Sequence, residues 1–300
     1  MTFSVIHDAL GTLDNVCRVV REVLQDFAND AVCYCELRST PRALRENSRA
    51  NYIARVCEEV EQAGGREGLR CRQGTLVCPR TRLLVSIDRG GAIESAWECA
   101  RLAVECATAP SSDPRSLVVG VDFSGNPAKG KFQDFVEMLN MCRASGLKIT
   151  VHAAEVPADE ETDAVLEFAP DRIGHLLHLR ERHFASMESA AGPPVELCPS
   201  SNMVNLHLDR SPQGLRGHAT AARWLYGGRV PISINTDDTL LLGTTLSQEY
   251  ALFAEAFNLS REFIANFVAD VAEHSFLPET ERLRLRAEID ATARRLLHTM

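Results

Sequence analysis

No stretch of the 300 residues is apolar for long enough to span a bilayer. The amino terminus, Met1 to Leu10, lacks the basic segment and apolar run of an export signal. Ten cysteines occur without one Cys-x-x-Cys pair, which argues against a structural zinc cluster and, in a leaderless chain, for reduced and mostly buried thiols. No Gly-x-Gly-x-x-Gly follows a strand, and neither a P-loop nor a Gly-x-Ser-x-Gly elbow is present. Dinucleotide oxidoreductases, nucleotide triphosphatases and serine hydrolases therefore lack their signatures. Positive charge is also short: Lys plus Arg is 32 against 41 Asp plus Glu, a net charge of −9. Such a chain has no electrostatic footprint for nucleic acid or an anionic membrane. Linkers rich in Gly, Pro or Ser, internal repeats and low-complexity tracts are missing too. These absences predict a soluble, cytoplasmic, single-domain chain spanning 1–300, without nucleic-acid or membrane partners.

What the chain does have is 45% hydrophobic and 24% charged residues, an ordinary globular balance, and a regular alternation of short β-rich runs with longer amphipathic ones. Strands are expected at Val32–Leu37, Leu83–Ile87, Leu117–Phe123, Lys148–His152, Arg172–Gly174, Val195–Cys198 and Ile232–Asn235. Helices are expected at Leu13–Phe27, Gly90–Ala107, Lys131–Ala144, Leu246–Phe257 and Ser260–Phe276, with Pro278 opening a last one. This alternation favours an α/β fold of the (β/α)₈ TIM-barrel kind over a doubly wound sheet. A closed barrel needs eight strands and seven are found, with a loop and helix where the first is expected.

In a barrel, chemistry sits at the carboxyl ends of strands. There the sequence offers Ser39-Thr40-Pro41-Arg42, Asp88-Arg89, Asp122 to Asn126, His152-Ala153-Ala154-Glu155, His175, Ser200-Ser201-Asn202 and Asp237-Asp238. His152 is either a metal ligand or a strand-end imidazole bonded to backbone, and Glu155 either an acid–base group or a solvated carboxylate. Asp237-Asp238 is either a metal and proton pair or an N-cap leading into Thr239. His175 either steers a metal-activated water or is structural. Arg42 with the two hydroxyls suits a phosphate, or makes an ordinary turn after Pro41. Gly125 either admits a flat base or only forms a turn. His178 and His183 lie among charges and read as solvated; His207 and His218 read as structural residues of a possible lid. Taken together, the strand ends favour a mononuclear metal hydrolase.

Five segments resemble the adenosine deaminase family in order and spacing: Glu36–Arg42, Gly120–Pro127, Val151–Glu155, Asp171–His175 and Asn235–Asp238. Ser39–Arg42, Phe3–His7 and Leu246–Tyr250 are most similar to its adenosine-deaminase-like branch, the N6-methyl-AMP deaminases. The resemblance implies one Zn²⁺ per chain and hydrolytic deamination of a 6-amino or 6-alkylamino purine nucleotide, N6-methyl-AMP to IMP. It makes His152 and Asp237 zinc ligands, and Glu155 a proton donor to the purine ring nitrogen beside the attacked carbon. His175 would orient or deprotonate the attacking water, Asp238 would bond the five-membered ring, and Gly125 would touch the opposite edge through its amide. His7, Ser39, Thr40, Arg42 and Asp88 would hold the ribose and 5′-phosphate. Two departures stand out. The family's His-x-His pair on a first strand, which supplies two more ligands, is not found, so the expected zinc shell is incomplete. Leu176 also follows Gly174-His175 where the family has Gly. The alternatives left open are a deaminase of the nucleoside and an inactive binding or regulatory relative.

Overall fold

The computed structural model describes residues 3–44, 46–189 and 192–298, and its contacts divide the chain into two compact units, residues 1–149 and 150–300. In the first, strands β1 (Tyr34–Ser39), β2 (Arg80–Asp88) and β3 (Val118–Ser124) lie side by side and parallel. The register sets Leu37 against Leu83 and Val85 against Val121. Parallel strands need long crossovers, which cover both faces of the sheet. The helices Arg49–Gln62 and Ile93–Ala107 are those crossovers, and β2 is accordingly buried at every residue but Asp88. Ahead of β1 runs the helix Leu13–Asn29. It starts where the Thr12 side chain accepts a hydrogen bond from the Asn15 N–H, and it turns Val16, Cys17, Val20 and Leu24 inward.

The second unit holds β4 (Lys148–Ala153) from Thr150 onward, β5 (Arg172–His175), β6 (Val195–Leu197) and β7 (Ile232–Ile234), again consecutive neighbours and parallel. Thr150 faces Arg172, Ile173 faces Val195, and Leu197 faces Ile234. Parallel pairing in sequential order brings all four carboxyl ends to one end of the unit, so His152, His175, Cys198 and Asp237 are placed there together. Beneath them Arg172 pairs with Glu196 at 2.8 Å, lies 3.6 Å over the Phe276 ring and donates to the His274 carbonyl at 2.9 Å. A buried ion pair survives desolvation only with such further partners.

All seven expected strands are present, each displaced by at most a few residues. The periodicity did not reveal the helix Arg49–Gln62 or the antiparallel hairpin of Leu69–Arg70 with Leu76–Cys78. Lys131–Ala144 begins as a 3₁₀ turn, Phe132–Phe135, before the α-helix Val136–Ala144. His183 corrects an expectation: it is 1% exposed, not solvated, because the helix Glu181–Ser189 turns it inward with Phe184 and Met187 and Asp163 meets it at 3.0 Å. All ten cysteines are free thiols, seven of them buried. Among the described residues no helix is long and apolar enough to cross a membrane.

Candidate active site

At the carboxyl ends of β4 and β5, the rings of His152 and His175 stand 5.0 Å apart, centroid to centroid. Glu155 Oε2 reaches to 3.9 Å from His175 Nε2. Ligand atoms of His175, Cys198 and Asp237 all lie within 4.8 Å of one another. Imidazole nitrogen, thiolate sulfur and carboxylate oxygen are the donor types that Zn²⁺ takes, and His152 brings a second imidazole beside Cys198 and Asp237, so a metal there does not depend on His175. The residues therefore fit a divalent metal.

Backbone strain coincides with this cluster. His175 (φ 65), Leu176 (φ 51), Ala154 (φ 52) and Asp237 (φ 55) occupy the left-handed region that residues with a Cβ avoid. Around Ala154, His175 and Leu176 backbone bonds tie the two turns together: the Ala154 carbonyl accepts from the N–H groups of Leu177 at 3.1 Å and His178 at 3.0 Å, and that of Ala153 from Leu176 at 3.1 Å. Leu176 is fully buried. It therefore packs into the core at a turn where glycine would be the easier residue.

Asp238 precedes the short helix Thr239–Leu242 at its N-cap position, yet its side chain makes no capping bond. The residue is open to solvent, but protein atoms crowd its carboxyl. Burial first, and then the Asp237 carboxylate, push it up to about 6, against the opposing pull of His152 and His175.

Behind His175 runs a buried chain of polar groups. Its Nδ1 lies 3.0 Å from the Asn202 amide, the other end of that amide lies 3.1 Å from His218 Nε2, and His218 Nδ1 is 3.0 Å from Thr220 Oγ1. His175, Asn202, His218 and Thr220 are each at most 3% exposed. Burial drives the His218 imidazole down to about 4, so the ring is neutral. Glu249 secures the start of the helix Pro199–Asn205, which carries Asn202, since its buried carboxylate accepts from the Ser200 N–H at 2.9 Å and the Thr244 hydroxyl at 2.6 Å.

The remaining expected residues belong to the first unit. Ser39 Oγ meets the Tyr52 hydroxyl at 2.9 Å, and Arg42 donates to the Leu10 carbonyl at 3.2 Å beside a half-buried Thr40. His7 is exposed on the helix Phe3–Ala9. Asp88 accepts from the Gly90 N–H at 2.8 Å. Gly125 (φ +107) has no alternative, because a Cβ there would lie 2.2 Å from Asp88 Oδ1. Arg89 holds the loop that follows, donating to the carbonyls of Lys129 and Gly130 at 2.8 and 2.9 Å.

A model of the family described as adenosine deaminase matches residues 1–292. The chain belongs to the adenosine deaminase family. The N6-methyl-AMP deaminase of Homo sapiens is 32% identical over 306 residues, covering 99% of this chain and 80% of that protein. The adenosine deaminase-like protein of Drosophila pseudoobscura pseudoobscura is 33% identical over 288 residues, or 96% and 79% of the two. Among solved structures, Arabidopsis ADAL complexed with IMP superimposes with a TM-score of 0.85 at 30% identity, covering 98% of this chain and 82% of that one. The fold is thus the α/β TIM-barrel type of this deaminase family, represented among the described residues by seven of its strands.

Within this deaminase the structure brings together His152, Glu155, His175, Asp237 and Asp238. It adds three residues the sequence did not single out: Cys198, Asn202 and His218. Cys198 directly follows β6 and precedes Pro199, and it passed for one more buried thiol. Asn202 was noted only as part of a polar strand end, and His218 only as a loop histidine. Only the strand-end position of Asn202 carried a signal, since its partners come from distant segments.

Proposed function

We propose that this deaminase hydrolyses a 6-alkylamino purine nucleotide, N6-methyl-AMP, to IMP and methylamine, as a zinc enzyme acting in the cytoplasm. Water adds at the carbon bearing the substituent, the new C–O bond replaces the C–N bond, and the amine departs with a proton. The supporting observation is the convergence of Glu155, His175, Asp237 and Asp238 at the strand ends of one unit, in a chain 32% identical to a protein named for that substrate. The single-domain reading of 1–300, the monomeric state and the absence of nucleic-acid or membrane partners belong to this proposal.

His152 and Asp237 would hold the metal, with Cys198 a further donor within reach of Asp237. When bound, zinc supplies Lewis acidity that brings the pKa of a water near neutrality. The chain's own residues do the rest. Glu155 delivers a proton to the ring nitrogen beside the attacked carbon, which makes that carbon more electrophilic. His175 orients the water. Asp238 faces the five-membered ring; a ring nitrogen there only accepts, so the carboxyl bonds it in its protonated form, whose share the upward displacement raises. Gly125 presents its backbone amide, and His7, Ser39, Thr40, Arg42 and Asp88 take the ribose and phosphate.

The test is turnover of N6-methyl-AMP, AMP and adenosine by the zinc-loaded protein. Release of methylamine from N6-methyl-AMP at the highest kcat/KM is expected. Faster turnover of adenosine, or none of any by protein that has bound its metal, overturns the reading.

A further inference from the structure

We infer that Asn202, His218 and Thr220 are positioning residues that fix the proton of His175 on Nε2, so that His175 meets the attacking water as a hydrogen-bond donor and not as a base. The role of His175 toward water rests on the proposed deamination; the position of its proton does not.

Hydrogen bonds running through imidazole and amide groups can point either way, because a half-turn of an asparagine amide exchanges oxygen and nitrogen without moving its neighbours. One contact in this chain has only one direction. The Ala221 backbone N–H, 3.3 Å from His218 Nδ1, must donate, as it caps the helix Ala219–Gly227. Nδ1 therefore accepts, and the Thr220 hydroxyl, which rotates freely, donates to the same nitrogen. A neutral imidazole carries one proton, so that of His218 sits on Nε2 and is donated to Asn202. The amide oxygen takes it. The amide nitrogen then faces His175 and donates to Nδ1, leaving the His175 proton on Nε2, toward the site.

As the side chain is set, Oδ1 faces His175. That orientation would put the His218 proton on Nδ1 and take its acceptor from the Ala221 N–H, whereas the half-turn leaves Nδ1 free to accept from that N–H. Burial keeps His218 neutral throughout, its imidazole held down to about 4. An Nε2–H group also has no lone pair for a metal, which sets His175 apart from Cys198 and Asp237 although the three are close neighbours.

The experiment is ¹⁵N–¹H correlation spectroscopy of the full chain with ¹⁵N-labelled histidine, the signals assigned by their loss in His175→Asn and His218→Asn. Protonated Nε2 and bare Nδ1 are expected for both rings. Asn202→Asp supplies an acceptor to both rings, so His175 should change to Nδ1–H, with kcat falling about tenfold and KM little altered, the scale of one hydrogen bond. A wild-type His175 protonated on Nδ1, or one metal-shifted at Nε2, overturns the inference, as does a tautomer unmoved by Asn202→Asp. Should that variant fail to fold, the wild-type spectrum decides alone. An inert wild-type enzyme showing the expected tautomers counts against the reaction and for the relay.

Discussion

The two units handle left-handed backbone in opposite ways. Among the described residues of the first, such turns fall to glycine, at Gly64, Gly68, Gly74, Gly125, Gly130 and Gly146, with Ala31 the single exception. In the second, Gly228 and Gly243 share the task with Ala154, Ala169, His175, Leu176, His207, Asp237 and Asn258. Ala169 and Asn258 end helices, an ordinary use. His175 and Asp237 are different, because glycine would carry no ring or carboxylate. A Cβ in that region costs roughly 1–2 kcal/mol, a cost accepted where a functional side chain must point into the site. Strain therefore sorts the molecule into a first unit of relaxed turns and a second that holds the proposed acid–base chemistry.

The largest expected effect tests that division directly. Glu155→Gln keeps the size and polarity of the side chain but removes its acid, so kcat should fall by about 10²–10⁴-fold with KM little changed. A variant within a few-fold of wild type in steady-state turnover would remove the second unit's claim to the proton transfer.

The buried relay should also make stability depend on acid. His218 is held down to about 4 in the folded chain, against an ordinary 6.5. Between those values only the unfolded chain takes up the proton, so stability is complete above about 6.5 and is lost as pH falls toward 4. Over that window the loss amounts to about 3 kcal/mol from this ring. Guanidinium unfolding at a series of pH values should show the decline, and His218→Gln should flatten it. A His218→Gln curve as steep as that of wild type would place the acid sensitivity elsewhere.

Smaller, and confined to the first unit, is the effect of Arg42→Ala. A charge-assisted bond to phosphate is worth about 1.5–3 kcal/mol, so kcat/KM for the nucleotide should drop about 10–100-fold. Turnover of the nucleoside should not change. An unaltered nucleotide preference would remove Arg42 from the phosphate site.

Much of the fold was legible because period and punctuation are local. The helix Leu246–Phe257 was read to the residue, and in the structure Thr245 with Gln248 closes a capping box at its start. The hairpin at Leu69–Cys78 was not, because its strands have two and three residues and carry no alternation to count. At the site, residues at strand ends were visible and those behind them were not. His175 follows a β-run, whereas His218 meets it only through Asn202, 27 residues after His175 and 16 before His218. His183 misled for the converse reason. Its neighbours Arg180, Glu181 and Arg182 are charged, but a helix turns adjacent residues to different faces.

The smallest expected effect sharpens the comparison most, because it isolates strain from chemistry. Ala153 and Ala154 are adjacent and both buried, at 5% and 7% exposure. Ala153 ends β4, while Ala154 has φ 52. Glycine in a strand costs roughly 0.5–1 kcal/mol relative to alanine, chiefly through the freedom it restores to the unfolded chain. Ala153→Gly should therefore lose about that much in denaturant unfolding. Ala154→Gly suffers the same entropic loss but sheds a Cβ from a left-handed turn, so its midpoint should stay near that of wild type or rise slightly. Equal destabilisation of the two would mean that the turn beside His175 stores no strain. The contrast between the units would then reflect only which residues happen to occupy their turns.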